Sequence, residues 1–221
     1  MKKLHPFLSV LFLISFGFSQ NKVNINNLVQ YGDKWFKEND ERPFSGIVFD
    51  ISKETGVKVL ECRYFKGLKN GSYNEWYNNG NKKTQGQYKN GLMIGKWKYY
   101  HGNGFIRGKG VFSNGDGLNK TYTGIPKNER DGEWKFWYDN GQKKEKSQYV
   151  EGKLVGISIL WYKNGIKEEE STFKNDKLNG YSKFWYENGN MKQEGSFNKG
   201  KPFGKWTYYN EDGSVKGIKE Y

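Results

Sequence analysis

The chain has 221 residues, of which 34% are hydrophobic and 18% aromatic, and its formal net charge is +13. So few aliphatic side chains exclude an ordinary aliphatic core, and the 29 glycines indicate a core of aromatic rings packed against glycine. Disorder is disfavoured as well, because disordered chains contain few aromatic residues.

Residues 1–19 predict a secretory signal peptide. The basic start MKK precedes an apolar run from Phe7 to Phe18, and the small residues Gly17 and Ser19 stand at the cleavage-signal positions. We expect cleavage after Ser19. The run is shorter than the ~20 residues that span a bilayer, so a retained membrane anchor is the weaker alternative. We therefore expect an exported protein that is periplasmic, associated with the outer envelope or secreted, with no transmembrane segment in the mature chain.

The rest of the sequence predicts an N-terminal entry or capping segment, residues 20–45, and a repeat array, residues 46–221. A glycine precedes each aromatic cluster at a spacing of 24 residues, with one interval of 37: Gly71, Gly95, Gly132, Gly156, Gly180 and Gly204. This period indicates small units that bury their apolar faces only by stacking on one another. The longer interval marks an expanded unit, residues 95–131.

Each unit predicts one β-hairpin. Numbered from its glycine as position 0, a unit carries at positions 5 to 9 a motif such as WYENG, Trp185–Gly189. The Asn-Gly pair favours a two-residue type I′ turn, which pairs positions whose numbers sum to 17. We predict an all-β fold, an elongated antiparallel meander of about seven 24-residue hairpin repeats that forms a rod or curled single-layer sheet.

The alternation of side chains gives this sheet two different faces. Positions 0, 2 and 4 form an aromatic face, expected to be buried, in which Trp97, Trp134 and Trp206 lie opposite mostly small residues. On the opposite, exposed face, position 5 is predicted to meet a basic residue of position 12. Such a stripe of rings and cations is a candidate binding face, although a structural cross-strand role is the simpler alternative. Its predicted members are Trp76 with Lys83, Tyr100 with Arg107, Trp137 with Lys144, Trp185 with Lys192, Tyr209 with Lys216, and Trp161, which faces Glu168 instead.

The sequence contains few of the residues that catalytic sites commonly use. His101 is the only histidine after the predicted signal peptide, and Cys62 is the only cysteine, which disfavours Ser-His or Cys-His catalysis and His/Cys metal sites. The acidic run Glu168–Glu170 lies along one predicted strand, so its neighbours point to opposite faces. We predict a protein that is not an enzyme and needs no cofactor or metal.

Two stretches, DGEWKFWYDNGQKKEKSQYVEGKLVG and NGYSKFWYENGNMKQEGSFNKGKPFG, resemble the MORN-repeat variant family. The resemblance covers nearly the whole mature chain, and RPFSG, Arg42–Gly46, is similar to the entry of exported members, which are often labelled antitoxin-like. It implies the hairpin array described above and a role in scaffolding or in protein or phospholipid contacts. It carries over no catalytic or binding residue.

The leading functional hypothesis is an exported, non-catalytic protein that mediates protein–protein interaction, with an antitoxin- or immunity-like role as one case. The alternative is an envelope-associated binder of acidic glycan or anionic lipid headgroups, since spaced ring and lysine pairs suit sugars with negative charge. The positive charge favours an acidic partner, and export disfavours nucleic acid. The insertion in the expanded unit is expected to be a surface loop without a role rather than a functional site.

Overall fold

The structure, a computed structural model, describes residues 21–221, and the predicted signal peptide lies outside the described residues. Apart from a single 3₁₀ turn, Ile25–Asn27, every helix or strand element of residues 21–221 is a strand. The strands are β1 (Lys22–Asn24), β2 (Leu28–Tyr31), β3 (Lys34–Lys37), β4 (Gly46–Ile51), β5 (Lys58–Phe65), β6 (Leu68–Trp76), β7 (Lys82–Lys89), β8 (Leu92–Tyr100), β9 (Ile106–Gly115), β10 (Arg130–Trp137), β11 (Lys143–Val150), β12 (Lys153–Trp161), β13 (Lys167–Lys174), β14 (Lys177–Trp185), β15 (Met191–Asn198), β16 (Lys201–Tyr209) and β17 (Val215–Glu220).

These strands form one long meander. A 15-stranded sheet runs in the order β1, β4 and then β5 to β17 without a crossover, while β2 and β3 pair in a separate two-stranded sheet. All neighbours from β4 onward are antiparallel, as in β10 and β11, and β1 joins β4 in parallel. The prediction of an all-β antiparallel meander is confirmed.

The predicted register is confirmed for positions 0 to 4 and is wrong from position 5 onward. Gly132 pairs with Tyr149, but Trp137 pairs with Lys143 and not with Lys144, because the register shifts after Phe136. The same shift of one residue follows position 4 in the other five hairpins, from β6–β7 to β16–β17. The predicted facing of positions 5 and 12 is therefore wrong throughout the array.

The cause of the shift is the type of turn. In β10–β11 the N–H of Tyr138 donates to the carbonyl of Gln142 at 2.8 Å and that of Gly141 to the carbonyl of Tyr138 at 3.0 Å. Gly141 has φ +85°, whereas Asn140 is not among the residues with positive φ. This is a three-residue loop with a bulge at glycine and not a type I′ turn. Two-residue turns with positive φ at both central residues occur instead at the other end, between units, as at Glu151 and Gly152.

The repeated motif holds successive units together. The hydroxyl of Tyr138 donates to the carbonyl of Trp161 in the next unit at 2.8 Å, and Asn140 Nδ2 donates to the carbonyl of Lys163 at 3.0 Å. Asn140 Oδ1 also accepts from the N–H of Gln142 at 3.1 Å. Equivalent bonds start at Tyr77, Tyr162 and Tyr186, and at Asn79, Asn103, Asn164 and Asn188. His101 takes the place of the tyrosine, with Nε2 at 3.0 Å from the carbonyl of Trp137.

The core lies on the aromatic face, as the sequence predicts. Trp97 and Trp134 are at most 1% exposed and Trp206 is 2% exposed. Each of these rings lies on a glycine of the preceding hairpin: a methyl group on Gly110 would come within 2.2 Å of Trp134, and one on Gly195 within 2.3 Å of Trp206. Where a unit has tryptophan at position 2, its ring therefore completes the core of the preceding unit, whereas Ser158 and Ser182 occupy this position in two other units.

Two segments cover part of the aromatic face. At the N-terminal end, Leu28 and Phe44 are buried in the same cluster as Val48 and Cys62, so the entry segment packs on the sheet through a separate hairpin and one parallel strand. The insertion in the expanded unit places Ile125, which has no exposed surface, in the same core. The insertion is therefore packed on the sheet, so the expectation that it is a surface loop is wrong.

Candidate functional site

Four lysines form a continuous row across the exposed face. Lys98 pairs with Lys109, Lys109 with Lys135, and Lys135 with Lys146, on the consecutive strands β8 to β11. They occupy positions 3 and 14, which the pleat turns away from the buried tryptophans of position 2 and the small residues of position 15. With strands ~4.8 Å apart, this lysine row is about 14 Å long.

The lysine row is poorly neutralised. Like charges directly opposite each other in a sheet are destabilising. Glu133 is the carboxylate that contacts the row, through ion pairs with Lys135 and, at 2.9 Å, with Lys146, and hydrogen bonds from these two lysines lower the pKa of Glu133. Within residues 21–221, neither Lys98 nor Lys109 has a salt bridge. The row thus presents a net positive charge to solvent.

The pairing of lysine with lysine is confined to strands β8 to β11 of this row. Further along the same row, Lys146 pairs with Ile159, and Ile159 with Glu170. Beyond these, Glu170 pairs with Lys183 and Lys183 with Glu194, so the sign of the charge alternates. Because opposite charges across strands stabilise a sheet, the C-terminal hairpins show the arrangement that stability favours, and the lysine row departs from it.

Aromatic rings flank the lysine row. Lys109 Nζ lies 5.3 Å from the ring centroid of Trp137, and Lys143 Nζ lies 5.7 Å from that of Trp161. Between the side chains are two grooves of about 400 and 440 Å³. Their basic lining residues are Lys96, Lys98, Lys109, Lys135, Lys143 and Lys146. The exposed face therefore offers cations and ring surfaces side by side.

The predicted rings of position 5 are half-buried, and their strand positions place them on the exposed face: Trp76, Tyr100, Trp137, Trp161, Trp185 and Tyr209. Where a lysine contacts one of these tryptophans, it comes from the preceding hairpin: Lys143 contacts Trp161, and Lys167 Nζ lies 5.5 Å from the ring centroid of Trp185. Rings and cations do meet, but not in the predicted pairs.

The basic residues of position 12 do not join these rings. Lys83 and Arg107 line a cavity on the aromatic face together with Tyr73. Lys144 Nζ lies 4.7 Å from the ring centroid of Tyr122 in the insertion. The other two members are Lys192, which contacts Tyr186, and Lys216, which lies on the edge strand β17. The one-residue register shift removes these cations from the predicted stripe.

Within residues 21–221, no three His, Cys, Asp or Glu side chains are grouped so that they could hold a metal ion. No helix in this part of the chain is long and apolar enough to cross a membrane.

The stacked hairpins, joined by bulged turns and tied together through tyrosine and asparagine, define a β-hairpin repeat protein. Three consecutive units, residues 130–151, 154–175 and 178–199, match the family described as MORN repeat variant. The resemblance recognised in the sequence is confirmed for these three units, which are similar to the MORN repeat variant. Repeats of this family are generally associated with binding of proteins or membrane lipids and are typically not catalytic. No curated protein matches the chain.

Proposed function

We propose that this protein is a non-catalytic binding protein whose lysine row docks an acidic segment of a partner protein. The observation that carries the proposal is the direct pairing of Lys98, Lys109, Lys135 and Lys146 across four strands. Such a row is unfavourable for the isolated sheet and becomes favourable when carboxylates of a partner neutralise it.

The surroundings of the row suit a protein partner. A row about 14 Å long matches about four residues of an extended chain. Further along the same face, Ile157 on β12 and Tyr181 on β14 are 57% and 49% exposed. Interfaces between proteins combine apolar and aromatic contacts with a charged rim, and the exposed face of β8 to β14 has this composition.

The proposed place of action is outside the cytoplasm, in the periplasm, at the outer envelope or in the medium. This part of the proposal rests on the signal-like residues 1–19. An antitoxin- or immunity-like role is one form that binding of a partner protein can take, and it rests on the family resemblance alone.

The test is capture of partners from envelope extract by the tagged mature chain, with two triple variants that change the charge equally. Lys98→Glu/Lys109→Glu/Lys135→Glu reverses the row, and the control reverses three lysines outside it: Lys83, Lys144 and Lys192. We expect one stoichiometric protein that is lost with the row variant, is retained by the control and is released as salt increases. Circular dichroism checks that both variants fold. Equal capture by the row variant and the wild type would contradict the proposal.

A second candidate is binding of acidic glycan or anionic lipid headgroups at the same row. The contacts of Lys109 with Trp137 and of Lys143 with Trp161 favour it, because a ring beside a cation suits a sugar that carries negative charge. The same capture experiment separates the two candidates. Row-dependent recovery of glycan or lipid without a stoichiometric protein supports this second function.

A further inference from the structure

The insertion in the expanded unit and the sheet line a partly open cavity on the aromatic face. The cavity has a volume of about 210 Å³. One wall is formed by the sheet, with Tyr99 and Arg107, and the other by the insertion, with Lys120 and Pro126. It lies on the opposite side of the sheet from the lysine row and is independent of it.

Two hydrogen-bond donors in this wall have no partner. Tyr99 is 5% exposed, and neither its hydroxyl nor Arg107 Nε has a hydrogen-bond partner in the described chain. Burial raises the pKa of Tyr99, so its hydroxyl stays protonated and available as a donor. Most buried polar groups are hydrogen-bonded, and an unpaired one costs stability. The two donors therefore require an explanation.

Arg130, which packs nearby, shows how this fold satisfies a structural arginine. Its Nε donates to the carbonyl of Pro126 at 2.8 Å, Nη1 to the hydroxyl of Tyr149 at 3.1 Å, and Nη2 to the carbonyl of Ile125 at 3.0 Å. Arg107 Nε lacks any such acceptor. Its guanidinium group points toward the insertion, since Nη1 would lie 3.9 Å from a methyl group on Gly124.

The charged groups around the cavity are mainly cationic. Lys83, Arg107 and Lys120 line it, with Glu75 as the acidic member. None of these four side chains has a salt bridge within residues 21–221. Three cations, a phenolic donor and one carboxylate leave an excess of positive charge and of donors, which an oxyanion complements.

The remaining lining and the access route suit a small organic molecule. Met93, Tyr88 and Trp97 supply apolar surface. Tyr73 and Glu75, with Lys83, also line a larger cleft of about 910 Å³ beside the N-terminal segment, so the two spaces adjoin. A ligand could place its anionic end among the donors and its body against the rings.

We propose that this cavity is a binding site for a small molecule bearing an oxyanion, a carboxylate or a phosphate, held by Arg107, Lys120 and the hydroxyl of Tyr99. The insertion is then the part of the array that adds a small-molecule site to a repeat protein. The expected ligand is monoanionic or dianionic and has a body no larger than a single sugar ring.

The experiment titrates the mature protein with three probes, D-glucuronate, inorganic phosphate and the neutral control D-glucose. Binding is followed by calorimetry and by the NMR resonances of the Trp97 indole and the Arg107 Nε–H. We expect saturable binding of glucuronate, phosphate or both, with a shift of the Arg107 resonance, and none of glucose. Because hydrogen bonds to charged groups are strong, Arg107→Met should weaken binding at least about tenfold and Tyr99→Phe about threefold or more. Lys205→Met, on strand β16 and outside both the cavity and the lysine row, should leave the affinity unchanged.

Each outcome decides the proposal. Binding of glucuronate alone assigns a carboxylate, and binding of phosphate alone assigns a phosphate. Equal binding of glucose, no binding of either anion, or undiminished binding by Arg107→Met and Tyr99→Phe overturns the proposal. If Arg107→Met does not fold, Lys120→Met replaces it. In the absence of probe, Tyr99→Phe should not lower Tm, because the hydroxyl it removes is unpaired, whereas a structural role for that hydroxyl requires a lower Tm.

Discussion

The substitution Gly195→Ala tests the packing of tryptophan on the glycine of the preceding hairpin. The new methyl group would come within 2.3 Å of Trp206 Cδ2, whereas carbon atoms in contact are separated by about 3.5 to 4.0 Å. The indole must therefore move by about 1.2 Å or more, since 3.5 less 2.3 is 1.2. It is held in place by a hydrogen bond of 3.0 Å from Nε1 to the carbonyl of Ser196 and by Phe197, whose ring centroid lies 4.8 Å away.

Two limits set the size of the effect. A side chain forced into a packed core typically costs about 1–3 kcal/mol, and complete expulsion of an indole that buries about 200 Å² costs about 5 kcal/mol. Because Trp206 loses both its hydrogen bond and part of its burial, we expect Gly195→Ala to lower the free energy of unfolding by about 2–4 kcal/mol.

The matched control is Gly217→Ala. This glycine also lies on the second strand of its hairpin and has no positive φ, but a methyl group there would meet no atom within 4 Å. Replacing it should change the free energy of unfolding by less than about 0.5 kcal/mol or raise it slightly. Urea unfolding gives the comparison, and hydrogen exchange should show lost protection in β15 and β16 only for Gly195→Ala. A difference between the variants below about 1 kcal/mol would refute the packing argument.

Three further outcomes are expected. Tyr162→Phe removes the hydroxyl that donates to the carbonyl of Trp185 at 2.7 Å and should lower the free energy of unfolding by about 1 kcal/mol. Tyr31→Phe, at an exposed tyrosine, is the control. Equal urea unfolding curves for the two variants would contradict this expectation. Gly156→Ala should lower the free energy of unfolding by about 1–2 kcal/mol in the same assay, because Gly156 has φ +64°, although a methyl group there would meet no atom. Gly156→Asn should lower it less, because asparagine tolerates positive φ better than alanine. Equal losses of stability for the two variants would contradict an origin in backbone strain. Burial raises the pKa of Cys62 to about 12, so iodoacetamide at pH 8 should label it only after unfolding; rapid labelling of the native protein would disagree.

Much of the fold follows from the spacing of a few residue types. The glycine period of 24 residues predicts the number of hairpins, and the rule that paired positions sum to 17 places Gly132 opposite Tyr149, as observed. The rule succeeds for positions 0 to 4 because a glycine on one strand leaves room for a large ring on the other. This fit of small to large residues does not depend on the type of turn.

The turn itself was not predictable in this way. Asn-Gly is compatible with a type I′ turn and with a three-residue loop in which only the glycine has positive φ. The three-residue loop also forms in the last hairpin, which has no following unit, and the bond shared by these loops is internal: Asn140 Oδ1 accepts from the N–H of Gln142, and Asp212 Oδ1 from that of Ser214. The dipeptide alone does not distinguish the two loops, and the resulting shift by one residue displaced Lys144 from the predicted binding stripe.

Most of the lysine row could be predicted from the sequence. Positions 3 and 14 also sum to 17, so the pairing rule already aligns Lys98 with Lys109 and Lys135 with Lys146. The pairing of Lys109 with Lys135 joins two units and depends on the path of the expanded unit between them. The packing of Ile125 into the core could not be inferred, because a single aliphatic residue in a polar insertion has no periodicity.

The placement of the buried rings of Trp97, Trp134 and Trp206 on the preceding unit makes the two ends of the array different. A chain that ended after β15 would leave Gly195 without the ring of Trp206, so a shortened protein needs a different residue at that position. The hairpin β16–β17 shows such a replacement: Lys219 pairs with Trp206 where earlier units have glycine or serine, and its Nζ lies 4.2 Å from the ring centroid of Tyr221. Lengthening the array by one hairpin would accordingly require Lys219→Gly before the added tryptophan could pack.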